Sequence, residues 1–460
     1  MAPVRFPVHH VDRFFLLFEG RPPPVTCAWV FVVEGKEPEA DRLRAAVGHA
    51  LHAHPKASAR LRKEGRWEWE TIDEPARMAF VLEGPLEGRD EVRSEEDRVG
   101  LIMAAPLDPC EGPLLRVHWI PPGAHRGRLV FRFHHALTDG TGSLVLLRSL
   151  LEAYNGAADG PLAEAGAPPW PPAPLVVGGI GHKLRLLVRL VSLHTRHSAR
   201  HRFALPETLF GPSARASGGV GSAYRRLGAE RWQGLRASAR PAGAGPSPLL
   251  LAAAAVAAER ALAERGRSCG MLRVQVTRDL RRGRASPAAL ENRSSAFPVW
   301  IGAQDRARGP ELVGLVRGQI RAALRSHAPE GTALFGATLR LPPPVARWLL
   351  LPAATRPRIA DSLIFTWLGA LPPSTPGSGW FHLGPARFVG VRVLVRPPEG
   401  VGSILTGVEM DGRLELTLSY LTGLFSPREA ERYLELAEAS LGEVASSPIG
   451  GASSASGRSS

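Results

Sequence analysis

The run from Leu129 to Gly142, Leu-Val-Phe-Arg-Phe-His-His-Ala-Leu-Thr-Asp-Gly-Thr-Gly, constrains the fold more than any other stretch of this 460-residue chain. Its first half is rich in branched and aromatic residues and reads as a strand. Thr138, Asp139 and Gly140 then supply a turn and an N-cap for a helix over Ser143 to Tyr154. Two adjacent histidines, His134 and His135, stand where the strand ends. Neighbouring side chains on a strand face opposite ways, so the pair offers one base to a cleft rather than two ligands to a metal. Gly140 has no side chain, which lets backbone or substrate approach closely.

The pattern His134-His135-x-x-x-Asp139-Gly140 continues with Thr141-Gly142, an apolar helix and Tyr154. It resembles the active-site motif of the CoA-dependent acyltransferase superfamily, which includes peptide-synthetase condensation domains, wax ester synthase/diacylglycerol acyltransferases and alcohol acetyltransferases. The resemblance implies an α/β (α+β) fold of two chloramphenicol acetyltransferase-like lobes, each a mixed sheet with flanking helices, with an active-site channel between them. It also implies His135 as the general base, with His134 in support. Asp139 would point away from the cleft and brace the loop against an arginine, for which Arg281 is a candidate. The alternative is a buried strand and turn that carry two histidines and no chemistry.

A chain of this length exceeds one ordinary core, and 44% apolar residues suffice for two. The net charge of +14 comes mostly from arginine scattered along the sequence. It favours acidic partners: CoA phosphates, a carrier protein or an anionic membrane surface. No nucleic-acid-binding motif accompanies it. Three cysteines, Cys27, Cys110 and Cys269, show no metal spacing and fit a reducing, cytoplasmic setting. The N-terminus lacks a signal-peptide core, and no apolar run reaches the roughly 20 residues of a membrane span.

In chain order, His9-His10 lacks a downstream Asp-Gly and reads as the start of a first helix, with Asp12 in its opening turn; the segment is similar to the opening of wax ester synthases. Glu39 to His54 is an amphipathic helix with Leu43, Val47 and Leu51 on one stripe, and His52 and His54 read as exposed polar residues. Asn155 to Gly179 is a Pro/Ala/Gly linker. Over 180–203, Arg185, Arg189, Arg196 and Arg200 share one stripe of a helix whose other faces are leucine- and valine-rich. Such a helix suits a membrane interface, an acidic partner, or packing between the domains.

In the second half, Met271 to Thr277 runs as a strand into Arg278-Asp279-Leu280-Arg281, and Glu291-Asn292-Arg293 resembles the G-N-R strand entry of wax ester synthases. Ser247-Pro248 stands where relatives carry an Asn-Asp pair. Thr366-Trp367-Leu368-Gly369 occupies the place of a strand that in related acyltransferases crosses between the halves. Thr366 keeps a hydroxyl for an oxyanion, or merely packs its methyl. Asp411-Gly412 joins two strands as a hairpin, and Ser426-Pro427 opens a last helix. Serine-hydrolase, dinucleotide and P-loop signatures are missing, and no metal site is expected.

These readings divide the chain into an N-terminal lobe over 1–160, a linker with the basic helix over 161–221, a C-terminal lobe over 222–444 and a tail over 445–460. The expected activity is O-acyl transfer from acyl-CoA or a phosphopantetheine-linked donor to an alcohol, with no bound cofactor. A free-standing condensation enzyme making an amide or ester is the second reading, and an inactive binding protein of the same fold the third. The expected site is His135, His134, Asp139 and Gly140 for catalysis, with Thr366, Asn292 and Arg281 against substrate. Peripheral membrane contact through 180–203 is a further expectation.

Overall fold

A computed structural model describes residues 3–17, 25–64, 67–86, 91–123, 125–156, 179–200, 206–209, 219–240, 243, 245–281, 290–338, 361–377 and 379–445. The expected linker and tail fall mostly outside these residues. From the N-terminus run β1 (Arg5–Pro7), α1 (His10–Leu17), β2 (Thr26–Glu34), α2 (Ala40–Ala53), β3 (Ala59–Arg62), β4 (Glu68–Thr71), α3 (Pro75–Ala79), β5 (Phe80–Leu82), α4 (Glu91–Ala104), β6 (Leu115–Ile120), β7 (Gly127–His134) and α5 (Gly140–Tyr154). After them come α6 (Ile180–Arg200), β8 (Val220–Leu227), α7 (Ala229–Ala239), α8 (Pro246–Ala263), β9 (Met271–Asp279), β10 (Ser294–Gly302), α9 (Ala303–Arg306), α10 (Glu311–Arg325) and α11 (Ala328–Thr338). The chain closes with β11 (Leu363–Ala370), β12 (Arg387–Val395), β13 (Ser403–Met410), β14 (Arg413–Leu421) and α12 (Pro427–Ala445).

Two large mixed sheets organise these elements. The first has the order β12-β2-β7-β6-β5 and the second β10-β9-β11-β13-β14-β8; β1, β4 and β3 form a small third sheet. In the first lobe, α2 and α5 cover the sheet. Leu43, Val47 and Leu51 of α2 share one core with Leu146, Leu147 and Leu150 of α5 and with Trp29, Phe31 and Phe131 of the strands. Every residue of β7 is buried, because the strand is central and covered on both faces. His135 therefore leaves the C-terminal end of a central strand.

The second core is built on α8. Its Leu249 to Ala258 are all buried, and the hydroxyl of Tyr433 on α12 donates to the Ala254 carbonyl at 3.0 Å. By length and composition α8 matches a membrane span, but it is the core helix of this lobe.

Two expectations change. Thr366 to Gly369 does not cross between the lobes: β11 lies inside the second sheet, parallel to both β9 and β13. The strand that crosses is β12, which pairs antiparallel with β2, Val391 opposite Phe31. The outer side of β12 meets the other sheet, since the amides of Val393 and Val395 donate to the hydroxyls of Thr417 and Ser419 on β14 at 3.3 and 3.1 Å. His54 is not exposed. It is buried at the end of α2 with Nε2 2.8 Å from Ser149 Oγ of α5, and burial pulls its pKa down to about 4. The residue closes a helix, and helix ends facing another helix are as enclosed as helix middles.

Candidate active site

The turn after β7 is set by its own backbone. His134 N donates to the Leu114 carbonyl at 2.9 Å and His135 N to the Val25 carbonyl at 2.8 Å, which holds both residues in the sheet up to the last position. Their side chains then part. His134 is fully buried, and its Nδ1 accepts from the Ala136 amide at 2.9 Å, so its ring fastens the turn. His135 is partly exposed.

Asp139 caps α5. Its Oδ1 accepts from the Gly142 amide at 2.9 Å. The same carboxylate faces the second lobe, where Arg281 Nη1 lies 3.0 and 2.9 Å from its two oxygens and the Arg293 amide donates to Oδ2 at 2.7 Å. Asp139 is buried, and its carboxylate is taken up by Gly142, Arg281 and Arg293. Close approach is tightest at Gly142, while at Gly140 only the end of one leucine side chain would have to move. A Cβ on Gly142 would sit 1.9 Å from Thr138 Oγ1, and one on Gly140 would sit 2.7 Å from Leu368 Cδ2 of β11. Ser143 locks the helix start to the sheet, accepting from Trp29 Nε1 at 2.8 Å and donating to the Gly140 carbonyl at 2.7 Å.

The His135 ring is clamped from two sides. Phe15 of α1 stacks on it with centroids 4.0 Å apart and planes 12° from parallel. Asn292 Nδ2 donates to the His135 carbonyl at 2.7 Å and lies 3.3 Å from its Nδ1. Nε2 has no hydrogen-bond partner among the described residues, which leaves that edge of the ring open to a substrate. Burial lowers the pKa of His135 below its ordinary 6.5 and His134 adds to this, while its carbonyl, Asp139 and Asp12 oppose it.

Of the expected residues, His135 and Asn292 come together, as do Asp139, Gly140 and Arg281 at the junction of the lobes. Thr366 is not in contact with His135. Its Oγ1 accepts from Thr277 Oγ1 at 3.2 Å, and Leu368, two residues on, touches the start of α5. Among the described residues no cluster of three or more His, Cys, Asp or Glu could hold a metal.

The first helix was underrated by its sequence. Besides Phe15, it places the buried Asp12 2.7 Å from Lys56 Nζ, close enough to His135 to act on its charge. His9 is half-buried just before this helix and its pKa is pulled down to about 3, chiefly by desolvation and then by Lys56 and Arg293. The signal available was Phe14-Phe15 on a helix with an acidic first turn, but nothing local ties it to a motif 120 residues on.

Comparison with known proteins follows the same outline. The wax ester synthase/diacylglycerol acyltransferase catalytic domain family matches residues 8–264, more than half of the chain. Tyrocidine synthase 3 of Brevibacillus parabrevis is 27% identical over 154 residues, a match covering 33% of this chain and 2% of that protein. The chain thus corresponds to a small part of that relative's length. The wax ester synthase/diacylglycerol acyltransferase from Marinobacter aquaeolei VT8 superposes with a TM-score of 0.60 at 16% identity, over 95% of this chain and 98% of that one. A variant of the starter condensation domain of rhizomide synthetase, in complex with C8-CoA and Leu-SNAC, superposes with a TM-score of 0.63 at 14% identity, over 96% and 94%. At these identities the superpositions establish the two-lobed fold, and the family match supports an acyltransferase. The chain belongs to the wax ester synthase/diacylglycerol acyltransferase catalytic domain family, within the CoA-dependent acyltransferase superfamily.

Proposed function

We propose that this protein moves an acyl group from acyl-CoA, or a carrier-linked thioester, to an alcohol, with His135 as general base in a ternary complex. The observation that carries the reading is the placement of His135: a ring clamped by Phe15 and Asn292, with Nε2 unpartnered among the described residues. The acceptor hydroxyl gives its proton to Nε2 as its oxygen attacks the thioester carbonyl carbon. The C–S bond then breaks, and the departing thiolate takes the proton back from His135. Ester and free thiol leave together, and no acyl-enzyme is formed.

The acid limb of the pH profile follows from the direction of the His135 shift. Transfer needs the neutral ring, and burial favours it, so kcat/KM falls only as pH drops below the ordinary 6.5. A limb centred above 6.5 in a pH series of kcat/KM contradicts this assignment.

Thr366 has the second role. Its hydroxyl accepts from Thr277 and keeps its own proton for the carbonyl oxygen as that oxygen gains charge. Thr366→Val is expected to lower kcat by about 10²-fold with KM little changed. An unaltered kcat leaves Thr366 a packing residue.

The overall test is a panel of acyl-CoAs with alcohols and amines, reading thiol release and the mass of the product. Ester products support the first reading. Amide products support condensation, which the tyrocidine synthase match favours.

A further inference from the structure

α6 divides its apolar residues between two faces. Leu186, Leu187, Leu190 and Leu193 turn inward: Leu186 is buried against Leu334 of α11, with Leu187, Val11 and Leu280 packed around the pair, while Leu190 and Leu193 join the second core. His197 stacks on Trp300 at 4.5 Å. The inner face alone accounts for the helix being held to the protein.

The outer face has no such reason to be apolar. Ile180, Leu184, Val188 and Val191 recur at helical spacing on one stripe and are 87, 60, 59 and 63% exposed. They are half of the eight large hydrophobic residues that stand exposed among the described residues. Between this stripe and the buried face runs a row of cations, Arg185, Arg189 and Arg196, all exposed and without an ion pair among the described residues. α6 contains no acidic residue. Elsewhere on this protein exposed arginines are commonly matched: Arg225 with Glu435, Arg260 with Glu443 and Arg432 with Glu264.

An outward apolar stripe edged by unmatched cations is complementary to one environment, the headgroup region of an anionic bilayer, where the stripe enters the acyl boundary and the arginines reach phosphates. We infer that α6 docks this protein on an anionic lipid surface, lying in the plane of the interface with its inner leucines still on α11. The position matters as much as the composition. Leu186 of the inner face shares one side-chain cluster with Val11 of α1, the helix that stacks Phe15 on His135, and with Leu280, the neighbour of the Arg281 that binds Asp139. The docked helix thus shares a side-chain cluster with α1, and, resting on the acyltransfer reading, docking brings the site of His135 toward the bilayer surface.

The full chain is sedimented with phosphatidylcholine vesicles with and without phosphatidylglycerol. Binding to the anionic vesicles at low salt, lost at high salt, is the expected result. Each basic residue near such a surface is worth about fivefold in partitioning, so Arg185→Gln with Arg189→Gln and Arg196→Gln weakens binding by about 10²-fold. Leu184→Ser with Val188→Ser weakens binding to anionic vesicles at every salt concentration. Thermal unfolding of each variant checks the fold, and the salt titration of the unmodified protein needs no variant at all. No sedimentation at low salt overturns the inference. Unchanged binding in either variant also overturns it, as does a dimer that Val188→Glu splits while vesicles bind nothing. Turnover of short soluble thioesters and alcohols is measured in parallel and is expected to survive both variants. Vesicle binding without turnover on any thioester refutes the acyltransfer reading and leaves the docking intact.

Discussion

His135→Ala lowers kcat by about 10²–10⁴-fold, the range for removal of a general base, and leaves the fold in place. The ring sits past the end of β7, where it stacks on Phe15 and meets Asn292 Nδ2, and losing such a stack costs about 1 kcal/mol. The two effects separate cleanly: a steady-state assay falls by orders of magnitude while denaturation changes little. His135→Gln is the companion variant, filling the space without a titratable lone pair, and is expected to be as inactive. Near-normal turnover in either variant rules out His135 as the base and removes the mechanism with it.

The second large effect is on stability. Asp139→Ala is expected to lose about 3–5 kcal/mol, because it leaves the nearly buried Arg281 without its main partner and takes acceptors from the amides of Gly142 and Arg293. The lower end of that range is expected, since Arg281 keeps Asp279 at 3.1 Å. A total stability of roughly 5–15 kcal/mol makes this a large fraction, visible in urea titration and in soluble yield. Asp139→Asn keeps an oxygen for the helix cap and should lose less. Full stability with a purely catalytic defect would place Asp139 in the proton path instead.

What could be read without coordinates was local. Strand to turn to helix around His135, the α2 stripe, the Asp411-Gly412 hairpin and the buried α8 each follow from patterns a few residues long. α10 carries a local pattern of the same kind: its buried Leu312, Val316, Gln319 and Ala323 keep helical spacing. What could not be read was who meets whom. Asp12 finds Lys56, Phe15 finds His135, and Asn292 finds the His135 carbonyl, each by juxtaposition of distant elements. His54 shows the same limit on burial, since a polar residue at a helix end carries no mark of the helix that will cover it. Arg281 was reachable because the superfamily resemblance said that the loop aspartate wants an arginine.

The pairing of β12 with β2 has a consequence for how this protein comes into being. During synthesis the first four strands of its sheet leave the ribosome more than two hundred residues before Arg387–Val395 does. Through that interval β2 offers an unpaired edge of Val, Phe and Trp, the kind of template that captures strands from other chains. Closing a loop of that length also makes the last pairing slow. Nascent chains are thus expected to lean on chaperones until β12 arrives, and fragments ending before residue 387 to aggregate, however well their own helices form.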